Sequence, residues 1–108
     1  MDNFEQVIGR LFVAHGRLKA IDRKVLSEKR RKERVEQMGA LRRSIDQLVL
    51  VQFGQLAAAA QDSALKLDRA TQDLATALGG IKNAIGTLDA IGAALGTITS
   101  LVKLLRGT

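Results

Sequence analysis

The sequence predicts an all-α protein, on three observations. There is no Pro in 108 residues, and Ala, Leu, Lys, Arg and Gln, all good helix formers, are abundant. Apolar residues recur at alternating steps of three and four, the spacing that lines one helix face. No stretch shows the strict alternation of a half-buried strand. Three Phe with neither Trp nor Tyr leave Leu, Ile, Val and Ala to build the core. At this length the chain reads as one helical domain, residues 1–108.

Phe4, Val7, Leu11, Ala14, Leu18, Ile21 and Val25 predict a first helix over about residues 3–26. Asp2 or Asn3 is placed to cap it, and Glu5 puts an acid in its first turn, where the helix dipole favours one. The segment SEKRRKERVEQMG follows, with Ser27 as a candidate N-cap and no apolar stripe until Val35 and Met38. If it is helical, Glu28/Lys32 and Lys29/Glu33 stand one turn apart, a spacing worth ~0.2–0.5 kcal/mol per pair.

From Val49 a heptad seam runs through Phe53, Leu56, Ala60, Ser63, Leu67, Ala70, Leu74, Ala77, Ile81, Ala84, Leu88, Ile91, Leu95, Ile98 and Val102 to Leu105 without a slip. Such a seam implies helices packed side by side. Unbroken it would extend roughly 85 Å at 1.5 Å per residue, too long for a chain of this size. Gly79-Gly80 supplies the turn, because paired glycines weaken a helix interior and suit a left-handed C-cap. The prediction is therefore a helix over about 35–78, a turn at 79–80 and a helix over about 81–106, forming a helical hairpin or small bundle. One hairpin cannot cover so long a seam, so an oligomer is expected.

Charge divides the chain. Residues 1–43 hold twelve Lys/Arg against six Asp/Glu, whereas residues 44–108 hold five of each. A basic N-terminal half thus precedes a neutral, apolar half. Without Cys there is neither a disulfide nor a thiolate ligand. The first residues carry acids ahead of any apolar run, so no secretory signal is read and cytoplasmic synthesis is expected.

The last helix carries one charge, Asp89, between Ala84 and Val102. Gly86, Ala90, Ala93, Thr97 and Ser100 form a seam of small residues, and Gly92 and Gly96 a small-xxx-small pair; such seams let backbones approach closely, in lipid or in water. A central acid costs ~2.5–3.5 kcal/mol on insertion scales. Lys82, Lys103 and Arg106 flank the helix and can reach headgroups while its stripe dips into the interface. Gly86, Leu88, Ile91, Gly92, Leu95, Gly96, Ile98 and Val102 are the expected packing and assembly positions.

No catalytic constellation is present. His15, the one histidine, has no acid, Cys or second His at ligand spacing, and Asp62, Asp68, Asp73 and Asp89 are dispersed rather than paired. No enzyme activity, cofactor, metal or small-molecule substrate is expected. Lys29, Arg30, Arg31, Lys32 and Arg34 form a dense basic run that points to an anionic surface, although a solvated helix face accounts for the same charges. No aromatic is interleaved for base stacking, and the apolar hairpin gives a membrane a second hold, so lipid is favoured over nucleic acid.

The sequence therefore points to a non-enzymatic, self-assembling helical protein that associates with membranes through its apolar C-terminal hairpin and basic N-terminal region. The alternative is a soluble coiled-coil scaffold or adaptor whose basic region binds nucleic acid or an acidic protein.

Overall fold

In the computed structural model, residues 5–51, 56 and 58–106 are described. They form four α-helices: α1 (Glu5–Lys19), α2 (Glu28–Val49), α3 (Ala58–Gly80) and α4 (Ala84–Arg106), with a single 3₁₀ turn at Arg23–Val25 between the first two. No strand occurs among the described residues. The expected caps at Asp2 and Asn3, and Phe4 and Phe53 of the two stripes, lie outside them.

The apolar stripe of α1 is buried at Val7, Leu11, Ala14 and Leu18. The helix ends at Lys19, short of the expected residue 26. Asp22 explains the early stop: its Oδ1 accepts a hydrogen bond from Lys24 N at 2.9 Å and starts the 3₁₀ turn. Ser27 then caps α2, its Oγ accepting from Arg30 N at 3.3 Å. The charged segment after Ser27 is thus the first turns of a helix rather than a connection.

The long helix expected over 35–78 is two helices. Leu50 and Val51 donate to Gln47 O at 3.2 Å and Leu48 O at 3.0 Å, tightening the end of α2. Past the break, Gln61 Nε2 donates to Leu56 O at 3.0 Å. In the sequence the seam crosses this interruption without a slip, which hid the break from a periodicity argument, although Val49, its first residue, is exposed and Leu48 is buried in its place.

The turn between α3 and α4 falls at residues 81–83, just after Gly79-Gly80. Both glycines belong to α3, and no described glycine has positive φ. The left-handed cap expected there is replaced by an Asn cap on the following helix. Asn83 Oδ1 accepts from Gly86 N at 2.6 Å, and Asn83 O accepts from Thr87 N and Oγ1 at 3.2 and 3.1 Å.

Side-chain contacts fix the directions. Arg34 of α2 donates through Nε to Leu18 O at 2.7 Å and through Nη2 to Lys19 O at 3.2 Å, closing the carbonyl end of α1. Arg42, two turns on, stacks over Phe12 at 5.6 Å, so α1 and α2 are antiparallel. Arg10 Nη1 bonds Asp68 Oδ1 at 2.6 Å and Thr71 Oγ1 at 3.2 Å, while Arg17 Nη2 reaches Ile81 O at 2.9 Å. Helices α1 and α3 therefore run parallel. Two antiparallel hairpins, α1–α2 and α3–α4, lie side by side with α1 against α3 and α2 against α4.

The chain measures 45 × 23 × 18 Å. Its core joins Leu11 and Leu18 of α1, Leu41, Ile45 and Leu48 of α2, Leu67 and Leu78 of α3, and Leu88, Ile91, Ile98 and Leu105 of α4. On α3 the fully inward positions include Ala64, Thr71 and Leu78 in place of Ser63, Ala70 and Ala77, a shift of one residue from the expected seam. Much of the surface assigned to partner chains on sequence grounds is covered here by α1 and α2 of the same chain.

Candidate anionic-surface interface

The end of the bundle where α1 finishes, α2 begins and the α3–α4 turn lies collects most of the basic residues. The five cations of the predicted run share a helix but not a role. Arg30 Nη1 bonds Asp89 Oδ1 of α4 at 2.8 Å and Glu33 Oε2 at 3.2 Å. The Asp89 hydrogen bond, and then its charge, raise the Arg30 pKa above its ordinary value. Arg31 Nε holds Arg23 O at 2.8 Å, and Arg34 braces α1 as described. Lys29 and Lys32 are exposed, with no side-chain partner among the described residues. Neither expected pair, Glu28/Lys32 or Lys29/Glu33, forms; the ion pairs on α2 are Arg30–Glu33 and Arg42–Asp46.

Arg23 and Lys24, close to the run in sequence, join this end, and folding adds Lys19, Arg17 and Lys82 to it. Lys19, Arg23 and Lys24 are exposed beside the start of α2. Arg17 and Lys82 come together across the α1–α4 junction in a cleft of about 360 Å³ that also holds Asn83 and Thr87. The charge asymmetry of the two halves was visible in the sequence. Its concentration at one end required knowing where each helix stops.

Helix α4 is the second component. It is long and apolar enough to cross a membrane, with a mean hydropathy of 1.5 over its most apolar 18-residue window, of which 28% is buried in the bundle. Its inward side buries Thr87, Leu88, Ile91, Ile98, Leu101, Val102 and Leu105. Its outward side presents Ile85, Asp89, Gly92, Ala93, Gly96, Thr97, Ser100 and Leu104. A charged outer face is usual for a surface helix, but here Asp89 is its one charge until Lys103.

The expected packing positions divide as follows. Leu88, Ile91, Ile98 and Val102 are buried and Leu95 is half-buried. A Cβ on Gly86 would stand 3.0 Å from Asn83 Oδ1 and 3.1 Å from Ile81 Cγ2, so this glycine accommodates its own cap. Gly92 is exposed, and a Cβ on it would meet only the end of the Gln37 side chain, Nε2 at 3.1 Å. Gly96 has nothing within 4 Å and is open to an outside partner. Between α3 and α4 lies a shallow, mostly apolar groove of about 400 Å³, lined by alanines of both helices with Leu74, Asp73 and Thr97.

Sequence reasoning also missed Gln37. It is 6% exposed; Nε2 donates to Leu88 O at 3.0 Å, while Oε1 is buried without a partner among the described residues. His15 sits half-buried on α1. No protein-family model, curated protein or solved structure matches the chain.

Proposed function

We propose that this protein is a membrane-associating helical bundle without catalytic activity, drawn to anionic lipid by its basic end and held there by α4. The observation that carries this reading is α4 itself: long and apolar enough to span a bilayer, with 28% of its most apolar stretch buried in the bundle and Ile85 and Leu104 exposed on the helix. A basic patch attracts an anionic surface over about a Debye length, but as a single contact it anchors weakly, and an apolar helix adds a second hold. Synthesis in the cytoplasm and encounter with a membrane from that side are part of the proposal. Self-association belongs to it too. The open surface at Gly96 and the small-residue groove between α3 and α4 favour close packing of another copy's helix once α4 is in or on lipid.

The test is flotation with phosphatidylcholine vesicles, with and without phosphatidylglycerol, across a salt series. The expected result is co-flotation with the anionic vesicles that weakens as salt rises, and crosslinked oligomers in the lipid fraction. Protein that stays at the bottom of both gradients overturns the proposal.

A second reading, a soluble scaffold whose basic region binds nucleic acid or an acidic protein, draws on the inward side of α4, which packs as a core helix does. It expects a discrete soluble protein that ignores vesicles and binds DNA or RNA with a steep log–log salt slope.

A further inference from the structure

We infer that the turn joining α1 to α2 is a phosphate-binding pocket formed by Arg23, Lys24 and Arg31. This inference deepens the membrane reading, on which it rests for the source of the phosphate, a phospholipid headgroup. A cavity of about 360 Å³ lies there, lined by Asp22, Arg23, Lys24 and Arg31. Three cations around one acid leave it a net positive charge, with Asp22 Oδ1 accepting from Lys24 N at 2.9 Å.

The cations are placed by the fold rather than by sequence spacing. Asp22 and the hydrogen bond from Val25 N to Asp22 O at 3.1 Å close the 3₁₀ turn, so Arg23 and Lys24 extend from a fixed backbone. Arg31 is tied to the same turn through Nε to Arg23 O at 2.8 Å. Its two terminal nitrogens make no other hydrogen bond among the described residues. A guanidinium held at Nε with its other end free has much of its rotamer entropy removed beforehand, and phosphate oxygens are the acceptors that suit such a fork. The side chains of Arg23 and Lys24 are likewise without partners among the described residues. Within the basic run this singles out Arg31: Arg30 is spent on Asp89 and Arg34 on the end of α1.

Two double variants of equal charge separate a pocket from a diffuse field. Arg23→Gln/Lys24→Gln removes two cations from the cavity. Lys29→Gln/Lys32→Gln removes two exposed cations outside it. Neither pair makes a side-chain hydrogen bond or ion pair among the described residues, so circular dichroism and thermal melts should match the wild type. The first probe is inorganic phosphate, titrated at 0.15 M salt against 15N-labelled protein. The wild type should shift amides over residues 22–26 and 31; Arg23→Gln/Lys24→Gln should weaken the response on the order of tenfold, and Lys29→Gln/Lys32→Gln should barely change it.

The second probe is phosphatidylcholine vesicles carrying phosphatidylglycerol, with the cavity variant expected to lose more binding than the control variant. Phosphate shifts in a wild type that ignores vesicles keep the pocket, assign it to free phosphate and remove the membrane reading. Vesicle binding weakened equally by both variants, with no phosphate shifts, overturns the pocket and leaves the membrane reading standing. Shifts spread evenly over all exposed cations also overturn it.

Discussion

Gly96 and Gln37 are the residues at which physical cost and apparent purpose part company. A glycine inside a helix costs ~1 kcal/mol relative to Ala, and Gly96 has open space where a Cβ would stand. Gly96→Ala should therefore raise the stability of the bundle in water by ~1 kcal/mol, read as a melting temperature roughly 4 °C higher. Gly92→Ala should gain less, because its Cβ pushes on the end of Gln37. A Gly96→Ala variant that melts no higher than wild type would mean that the position is already covered in solution, as in a preformed oligomer. Gln37 Nε2 donates to Leu88 O at 3.0 Å and, at the long limit of 3.5 Å, to Glu33 Oε1, while its carbonyl stays buried and unpaired among the described residues. An unmet buried acceptor costs ~1–3 kcal/mol against ~1 kcal/mol for a made bond. Gln37→Met, similar in shape, should be neutral to stabilising by ~1 kcal/mol in urea denaturation; a loss of 2 kcal/mol or more would show that Oε1 is satisfied by bound water.

Between elements, polar contacts fix which helices pair, and α1 against α3 is the clearest case. Arg10 meets Asp68 at 2.6 Å, with both side chains about one-fifth exposed, and reaches Thr71, which is fully buried. Arg10→Met should destabilise the bundle by ~1–2 kcal/mol, a charge-assisted bond discounted for partial solvent screening. Chemical denaturation of Arg10→Met and of Arg10→Met/Asp68→Leu measures it; recovery in the double variant identifies the stranded carboxylate as the cost. Nothing in the sequence pairs residues 58 apart, so this contact was illegible, as was Arg30–Asp89. Local features were legible: the buried stripe of α1, Ser27 as a cap, a turn next to Gly79-Gly80 and most of α4 follow from spacing and capping chemistry alone. The break between α2 and α3 was not, because in the sequence the seam crosses it without a slip and no Pro marks it. The early end of α1 turned on Asp22, whose bond to Lys24 N competes with continued helix, a contest that apolar spacing does not record.

For the whole molecule, the bundle in water and a membrane compete for the same helix. In the bundle α4 contributes Leu88, Ile91, Ile98, Val102 and Leu105 to the core, and fully burying a Leu or Ile side chain is worth ~1.5–3 kcal/mol. In lipid the same residues keep an apolar environment and the outward Ile85, Ala93 and Leu104 gain one, while Asp89 loses both water and Arg30. Besides the uncovered core, the charge of Asp89 opposes insertion, at ~2.5–3.5 kcal/mol for an acid at the centre of an inserted helix, and its ion pair at 2.8 Å ties α4 to α2. Asp89→Asn removes the charge and the tie together, and should raise partition into phosphatidylcholine/phosphatidylglycerol vesicles at least about tenfold. Insertion also has a signature elsewhere in the chain. When α4 leaves, Leu41, Ile45 and Leu48 of α2 lose their cover, so in hydrogen–deuterium exchange the α2 amides should lose protection on vesicles while those of α4 gain it. A bundle that only rests on the surface through its basic end would keep the exchange pattern it has in water, and Asp89→Asn would bind no better than wild type; that pair of results would confine α4 to the core and leave the basic end as the membrane contact.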